Sequence, residues 1–152
     1  MEPRPEHLRQ RLGLLRDGLR RSGIKLTHQR LEIFLEVAKS VDHPDAETIY
    51  EGVRERVPTI SLDTVYRTLW LLLDLGLITT LGSPRRTTRF DANVEPHHHF
   101  SCIRCGSTCD FHSEELDRLR VPEEVKALGS VTRVRAEVSG LCATCSERQQ
   151  SE

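Results

Sequence analysis

The chain is short of the side chains that build a thick core. Of its 152 residues, 37% are hydrophobic and 5% aromatic, with a single Trp. Two small lobes, one of them cross-linked, fit that supply better than one deep core. No apolar run approaches the ~20 residues needed to span a bilayer, so no membrane partner is expected. The N-terminus carries no evident signal peptide. A reducing cytoplasm is therefore expected, and structural disulfides among the five cysteines are not. There is no internal repeat and no low-complexity tract. A large excess of either charge is also missing, since the formal net charge is -1. The distribution says more than the total. Residues 1–90 hold 15 basic and 12 acidic side chains, or +3, and residues 91–152 hold 7 and 11, or -4. A basic front half can meet phosphates while an acidic back half does something else.

What the chain does have is metal-ligand chemistry. Cys102-x-x-Cys105 and Cys142-x-x-Cys145 are two thiol pairs separated by 36 residues. Two such pairs can close a tetrahedral four-thiolate zinc site, because the tight turn inside each pair aims both sulfurs at one centre. The wide spacing means that the intervening loop holds a small subdomain. A disulfide pair or a thiol redox pair would use the same residues. Cys109 is left over and reads as a small buried apolar residue. Between Asp91 and Asp110 lies His97-His98-His99. On a strand, His97 and His99 share one face and His98 points to the other, a chelating geometry. Imidazoles and carboxylates suit zinc, iron or manganese.

The order of elements can be read ahead of these motifs. Leu8, Leu12, Leu15 and Leu19 form the stripe of a helix over 6–22 that Gly23 ends. Thr27 caps a second helix carrying Leu31, Phe34, Leu35 and Ala38, and Asp45 caps a third that buries Ile49, Val53 and Val57 before Pro58. Ser61 opens a fourth, with Leu62, Val65, Leu69 and Leu72 inward and Asp63, Thr64, Tyr66, Arg67 and Thr68 outward. A short helix, a turn and a helix with polar and Arg side chains in its first half is helix-turn-helix grammar. The alternating segments around Gly82-Ser83-Pro84 predict a hairpin with Arg85 and Arg86 near its tip. Together these make a winged helix over 1–90. Residues 91–96 read as a hinge. Residues 97–146 predict a small α/β lobe: strands over 97–103, 108–111 and 131–138, with a helix from Ser113 and a further turn at Pro122. Its open sheet edge invites self-pairing. Residues 147–152 read as a disordered tail. The fold class is thus α+β.

The pieces Leu26–Arg30, His43–Tyr50 (H-P-D-A-E-T-I-Y), Ser61–Leu69 (S-L-D-T-V-Y-R-T-L), Arg89–Asp91, His97–Gly106 and the late C-A-T-C are similar to motifs of the ferric uptake regulator superfamily, along nearly the whole chain. The resemblance implies an N-terminal winged-helix DNA-binding domain, a C-terminal α/β dimerisation domain and metal-activated repression. The chain resembles the peroxide-sensing branch most. That implies a regulatory Fe(II) or Mn(II) site at His43, Asp91, His97, His99 and Asp110, with structural Zn(II) on the four thiols. It also implies oxygen addition to His43 or His97 as the sensing event. Asp91 and Asp110 favour that branch, because iron-uptake sensors usually carry Glu at those places. The third metal site of some iron-uptake members has no counterpart, Arg133 and Arg135 standing where those often have His. Arg67 points the other way, being the iron-uptake form.

The expectation is a cytoplasmic, homodimeric repressor that binds an A·T-rich palindromic duplex operator. Ser61, Thr64, Tyr66, Arg67, Arg85 and Arg86 are the expected DNA contacts. An iron- or manganese-uptake regulator is the alternative within the class. A small zinc metallo-enzyme is the alternative outside it, and it lacks a general base placed as in H-E-x-x-H. No catalytic residue is assigned.

Overall fold

The computed structural model describes residues 5–82, 87–132 and 134–150. The chain divides into two compact units, Met1–Val94 and Glu95–Glu152. The class is α+β.

The first unit begins with four helices: α1 (Pro5–Arg21), α2 (His28–Lys39), α3 (Ala46–Arg54) and α4 (Leu62–Asp74). Side-chain caps start three of them. Thr27, Asp45 and Ser61 accept hydrogen bonds from the backbone N–H of Arg30, Thr48 and Thr64, satisfying donors that a helix end otherwise leaves open. Glycines stop two. Gly23 and Gly76 sit at φ +65 and +66. Ile24 N–H reaches back to Leu19 O and Leu77 N–H to Leu72 O, each at 2.9 Å, which is the closing bond of a left-handed helix end. The apolar stripes meet in one core of Leu15, Leu19, Ile33, Phe34, Val37, Ile49, Val53, Val65, Leu69, Leu72 and Ile78, with Leu8 and Leu12 packed against it. Thr68 is buried, not outward as the sequence suggests. It lies three residues after Val65 and four before Leu72, inside the α4 stripe.

Strands β1 (Thr79–Leu81) and β2 (Arg89–Asp91) pair antiparallel, Thr79 opposite Asp91. Helices followed by this hairpin form the winged-helix arrangement. The hairpin tip with Arg85 and Arg86 lies outside the described residues, as does Arg133. The segment read as a hinge starts as ordered structure: Asp91 belongs to β2 and Ala92 to the core. The two units divide within it, after Val94.

The second unit is a three-stranded sheet in the order β4-β3-β5, from β3 (His98–Cys102), β4 (Thr108–Phe111) and β5 (Glu137–Gly140). β3 runs antiparallel to β4 and parallel to β5. The crossover between β4 and β5 carries α5 (Glu114–Asp117), capped by Ser113, and α6 (Glu123–Lys126). β5 is shorter and later than the alternation over 131–138 suggests. Val131 and Val134 lie outside any strand and are exposed. Helix α7 (Ala143–Gln150) runs through the stretch expected to be disordered from 147. Glu147, Arg148 and Gln149 are good helix formers, and Cys145 roots them in buried structure.

Candidate metal centres and nucleic-acid face

β3 ends in the first thiol pair. Cys102 N–H donates to Ser107 O at 2.8 Å and Gly106 N–H to Cys102 O at 2.9 Å, closing the turn that holds Cys105. The register of the sheet brings the second pair to it. Cys102 lies opposite Gly140 on the parallel strand, and Ile103 N–H donates to Gly140 O. Two residues on, Cys142 precedes α7 and Cys145 lies in its first turn. Arg104 donates to the Cys145 carbonyl at 3.1 Å.

The sulfurs of Cys102, Cys105, Cys142 and Cys145 all lie within 4.8 Å of one another, with Cys105 and Cys142 at 3.8 Å. Four thiolates at about 2.3 Å from one zinc are about 3.8 Å apart in a tetrahedron, so the arrangement fits that ion. The electrostatics are uneven. Backbone N–H groups, that of Cys105 first and that of Cys142 next, hold the Cys102 thiol down to about 6. The Ser107 hydroxyl lowers Cys105. Burial, together with the neighbouring sulfurs, pushes Cys145 up to about 12. A divalent cation supplies the charge that lets all four ionise.

Three side chains converge on one face of the same sheet. His97 Nε2 and His99 Nε2 are 2.9 Å apart. Asp110, opposite His99 on β4, has Oδ1 at 3.3 Å from His99 Nε2 and 3.9 Å from His97 Nε2. His97 Nδ1–H donates to Glu95 O at 2.7 Å, which fixes the tautomer that keeps the lone pair on Nε2. Ligand atoms about 2.1 Å from one ion are about 3.0 Å apart at right angles and about 4.2 Å when opposite. All three separations fall close to that range.

The first unit holds a second pair. His43 and Asp91 are both buried, with Nδ1 and Oδ1 3.8 Å apart. Strand β2 sets this geometry. Arg89 donates to the carbonyls of Asp42 and His43, Phe90 N–H donates to Pro44 O, and Asp45 bridges to Arg89. The strand that carries Asp91 therefore ties down the loop that carries His43. Nothing in the sequence marks Arg89 for this role, because its partners lie 46 and 47 residues away.

On α4, Tyr66 and Arg67 are exposed and Thr64 is half-buried. Ser61 is spent on capping: its Oγ accepts from Thr64 N–H and also pairs with the Thr64 hydroxyl at 2.9 Å. Arg67 Nε pairs with Asp63 at 3.0 Å, and the Tyr66 hydroxyl donates to Glu47 of α3 at 2.8 Å. Beside α4 a polar cleft of about 320 Å³ is lined by Thr27, Gln29 and Arg30 of the α2 end and by Thr64, Arg67, Thr68 and Leu71. Glu47, Gln29 and Arg30 lie in stretches that carry the family resemblance, but only their neighbours across the fold mark them for this face.

Comparison with known proteins starts from the family level. The profile described as "Ferric uptake regulator family" matches residues 21–134. The chain belongs to the ferric uptake regulator family. It is 34% identical over 130 residues to the peroxide-responsive repressor PerR of Staphylococcus epidermidis, covering 86% of this chain and 87% of that one. Among solved structures, it resembles the Campylobacter jejuni peroxide stress regulator at 26% identity and a TM-score of 0.66, over 88% of this chain and 98% of that one. The Helicobacter pylori ferric uptake regulator is similar in fold, with a TM-score of 0.72 at 23% identity over 91% and 93% of the two chains. Members of the ferric uptake regulator family are transcriptional regulators, not enzymes. No helix among the described residues is long and apolar enough to cross a membrane.

Three further side chains, His98, Cys109 and His112, lie on or beside the strands that carry the ligand candidates. His98 is turned to the opposite face, where Nε2–H donates to Asp117 at 3.0 Å and Nδ1 accepts from Ala136 N–H. Cys109 is exposed on the edge strand β4 rather than buried. The His112 ring lies 6.3 Å from that of His97.

Proposed function

We propose that the chain is a dimeric, metal-dependent DNA-binding repressor that senses peroxide. Zinc is held by Cys102, Cys105, Cys142 and Cys145. A regulatory iron or manganese ion is held by His43 and Asp91 from one unit and by His97, His99 and Asp110 from the other. The observation that carries the reading is the convergence of His97, His99 and Asp110 at ligand-like separations, with a matching His43–Asp91 pair in the other unit. Ligands drawn from both units make metal occupancy a control on how the units are held, which is what a switch requires. The names of the relatives support the peroxide reading.

Exposed Leu119, Val125, Leu128, Val131, Val134 and Val138 of the second unit support self-association. In such a dimer the two α4 helices enter successive major grooves of an A·T-rich palindrome. Thr64, Tyr66 and Arg67 face base edges there, and Arg85 and Arg86 face phosphate.

Held by His43, Asp91, His97, His99 and Asp110, iron would supply one-electron reduction of hydrogen peroxide, chemistry that manganese would not supply there. His43 and His97 are the ligands expected to gain oxygen. An oxidised imidazole would be a poorer ligand, so the regulatory metal would be lost and DNA released. Peptide mass spectrometry after low peroxide tests this. One added oxygen on a His43 or His97 peptide is expected in the iron-loaded protein only, with zinc retained. Release that tracks thiol loss and zinc ejection would overturn it. Arg67 favours a second reading, an iron- or manganese-uptake regulator. On that reading the iron-loaded protein keeps both histidines intact and stays on DNA after peroxide.

A further inference from the structure

Three carboxylates stand on the face that reads DNA in the function proposed above. Asp63 pairs with Arg67 along α4 itself. Such an exposed pair, four residues apart, contributes little and leaves Arg67 able to swing. Glu47 differs. It lies in the first turn of α3, and its Oε1 accepts the hydroxyl of Tyr66, 19 residues later on α4. That bond links the two helices of the helix-turn-helix through the side chain of a proposed base reader. Asp45, the α3 cap, adds its charge to the same surroundings. Carboxylates there face the phosphates of any duplex. Repulsion of that kind weakens binding to every sequence alike and is overcome only where bases are read. The net +3 of residues 1–90 leaves little general attraction to hide it.

We infer that Glu47 is a positioning residue for Tyr66 and a discriminator against non-specific duplex. Its acceptor oxygen holds the Tyr66 ring in the orientation that meets a base edge. Its charge penalises complexes in which no base contact compensates. The inference rests on the DNA-binding reading.

The test uses the full chain with zinc and Mn(II). Duplexes are selected from a library with a randomised centre, then the selected duplex and a shuffled one are titrated. Glu47→Gln keeps an acceptor oxygen and loses the charge. It should select the wild-type motif yet bind the shuffled duplex severalfold tighter at low salt, with the gain fading at high salt. Glu47→Ala and Tyr66→Phe should lose preference at the same base step, and the double variant should lose no more than either alone.

A second readout is spectroscopic and needs no DNA. The hydrogen bond to Glu47 holds the Tyr66 hydroxyl above the ordinary value of 10.0. The stabilisation from this bond is therefore complete below pH 10 and is lost as the pH rises through the raised folded value. In a Tyr50→Phe background, tyrosinate absorbance should appear at lower pH when Glu47 is Ala. A Glu47→Ala protein that melts like the wild type and selects the same motif would overturn the positioning role. A Glu47→Gln protein with unchanged affinity for the shuffled duplex would overturn the discriminating role. A wild type that selects no motif at all would remove the DNA-binding reading itself, and the inference with it, before any substitution is compared.

Discussion

His43 occupies a backbone conformation that few residues other than glycine adopt, with φ +49, directly before Pro44. Left-handed backbone at a non-glycine residue costs on the order of 1–3 kcal/mol and persists only where the surroundings impose it. Here the imposing groups can be named: the Arg89 guanidinium on the Asp42 and His43 carbonyls, and Phe90 N–H on Pro44 O. Arg89 touches no proposed ligand side chain, yet it holds the loop that presents one. Groups that orient ligands in this way change metal affinity by roughly 10–100-fold when removed. Arg89→Ala should therefore weaken Mn(II) binding by about tenfold or more while zinc content stays at one ion per chain. Calorimetric titration of zinc-loaded protein checks this. Unchanged Mn(II) affinity would mean that His43 holds its place without the clamp, or is not a ligand.

At the scale of elements, the caps are the most economical stabilisers of the first unit. Ser61 Oγ accepts from Thr64 N–H at 3.1 Å and Asp45 Oδ1 from Thr48 N–H at 2.9 Å. Ser61→Ala should cost about 1 kcal/mol in urea unfolding of the first unit; a cost near zero would mean that water replaces the hydroxyl. These caps, and the leucine stripes between them, are the part of the fold that the sequence shows most openly. A helix is written in residues three and four apart, and its ends in single cap residues. The thiol pairs were equally legible, because a metal-ligand turn is local. Pairings across the fold were not. Tyr66 meets Glu47, His98 meets Asp117 and Ala136, and Arg89 meets the His43 loop, each through contacts that no short window contains. The alternation over 131–138 misled for a different reason. Strand pairing there is decided by the register with β3, which admits only Glu137–Gly140. Val131 and Val134 are apolar for some purpose other than packing within their own unit.

For the whole molecule, the two units differ in what holds them. The first has a continuous aliphatic core. Among the described residues of the second, Cys102 and Cys145 are the only buried apolar side chains, and the rest of its buried set is His97, His98, His99 and Thr108. Structural zinc sites contribute ~10–16 kcal/mol at neutral pH, far more than the aliphatic contacts of so small a unit. Chelation strong enough to strip zinc, or Cys145→Ser, should therefore abolish the second unit and the dimer while the first unit keeps its own melting transition. Calorimetry with sedimentation velocity checks both parts. A zinc-free protein that stays dimeric and melts as before would show that the thiols are not the staple.

That imbalance has a consequence for the lifetime of the regulator. A chain released from the ribosome without zinc would carry a finished DNA-binding unit joined to an unfolded, thiol-rich segment. Such a segment is what proteases engage first, and a small change in the folded fraction changes abundance severalfold. The number of repressor molecules would then follow zinc supply, whatever the state of the regulatory site. Zinc starvation would lift repression by removing the protein itself.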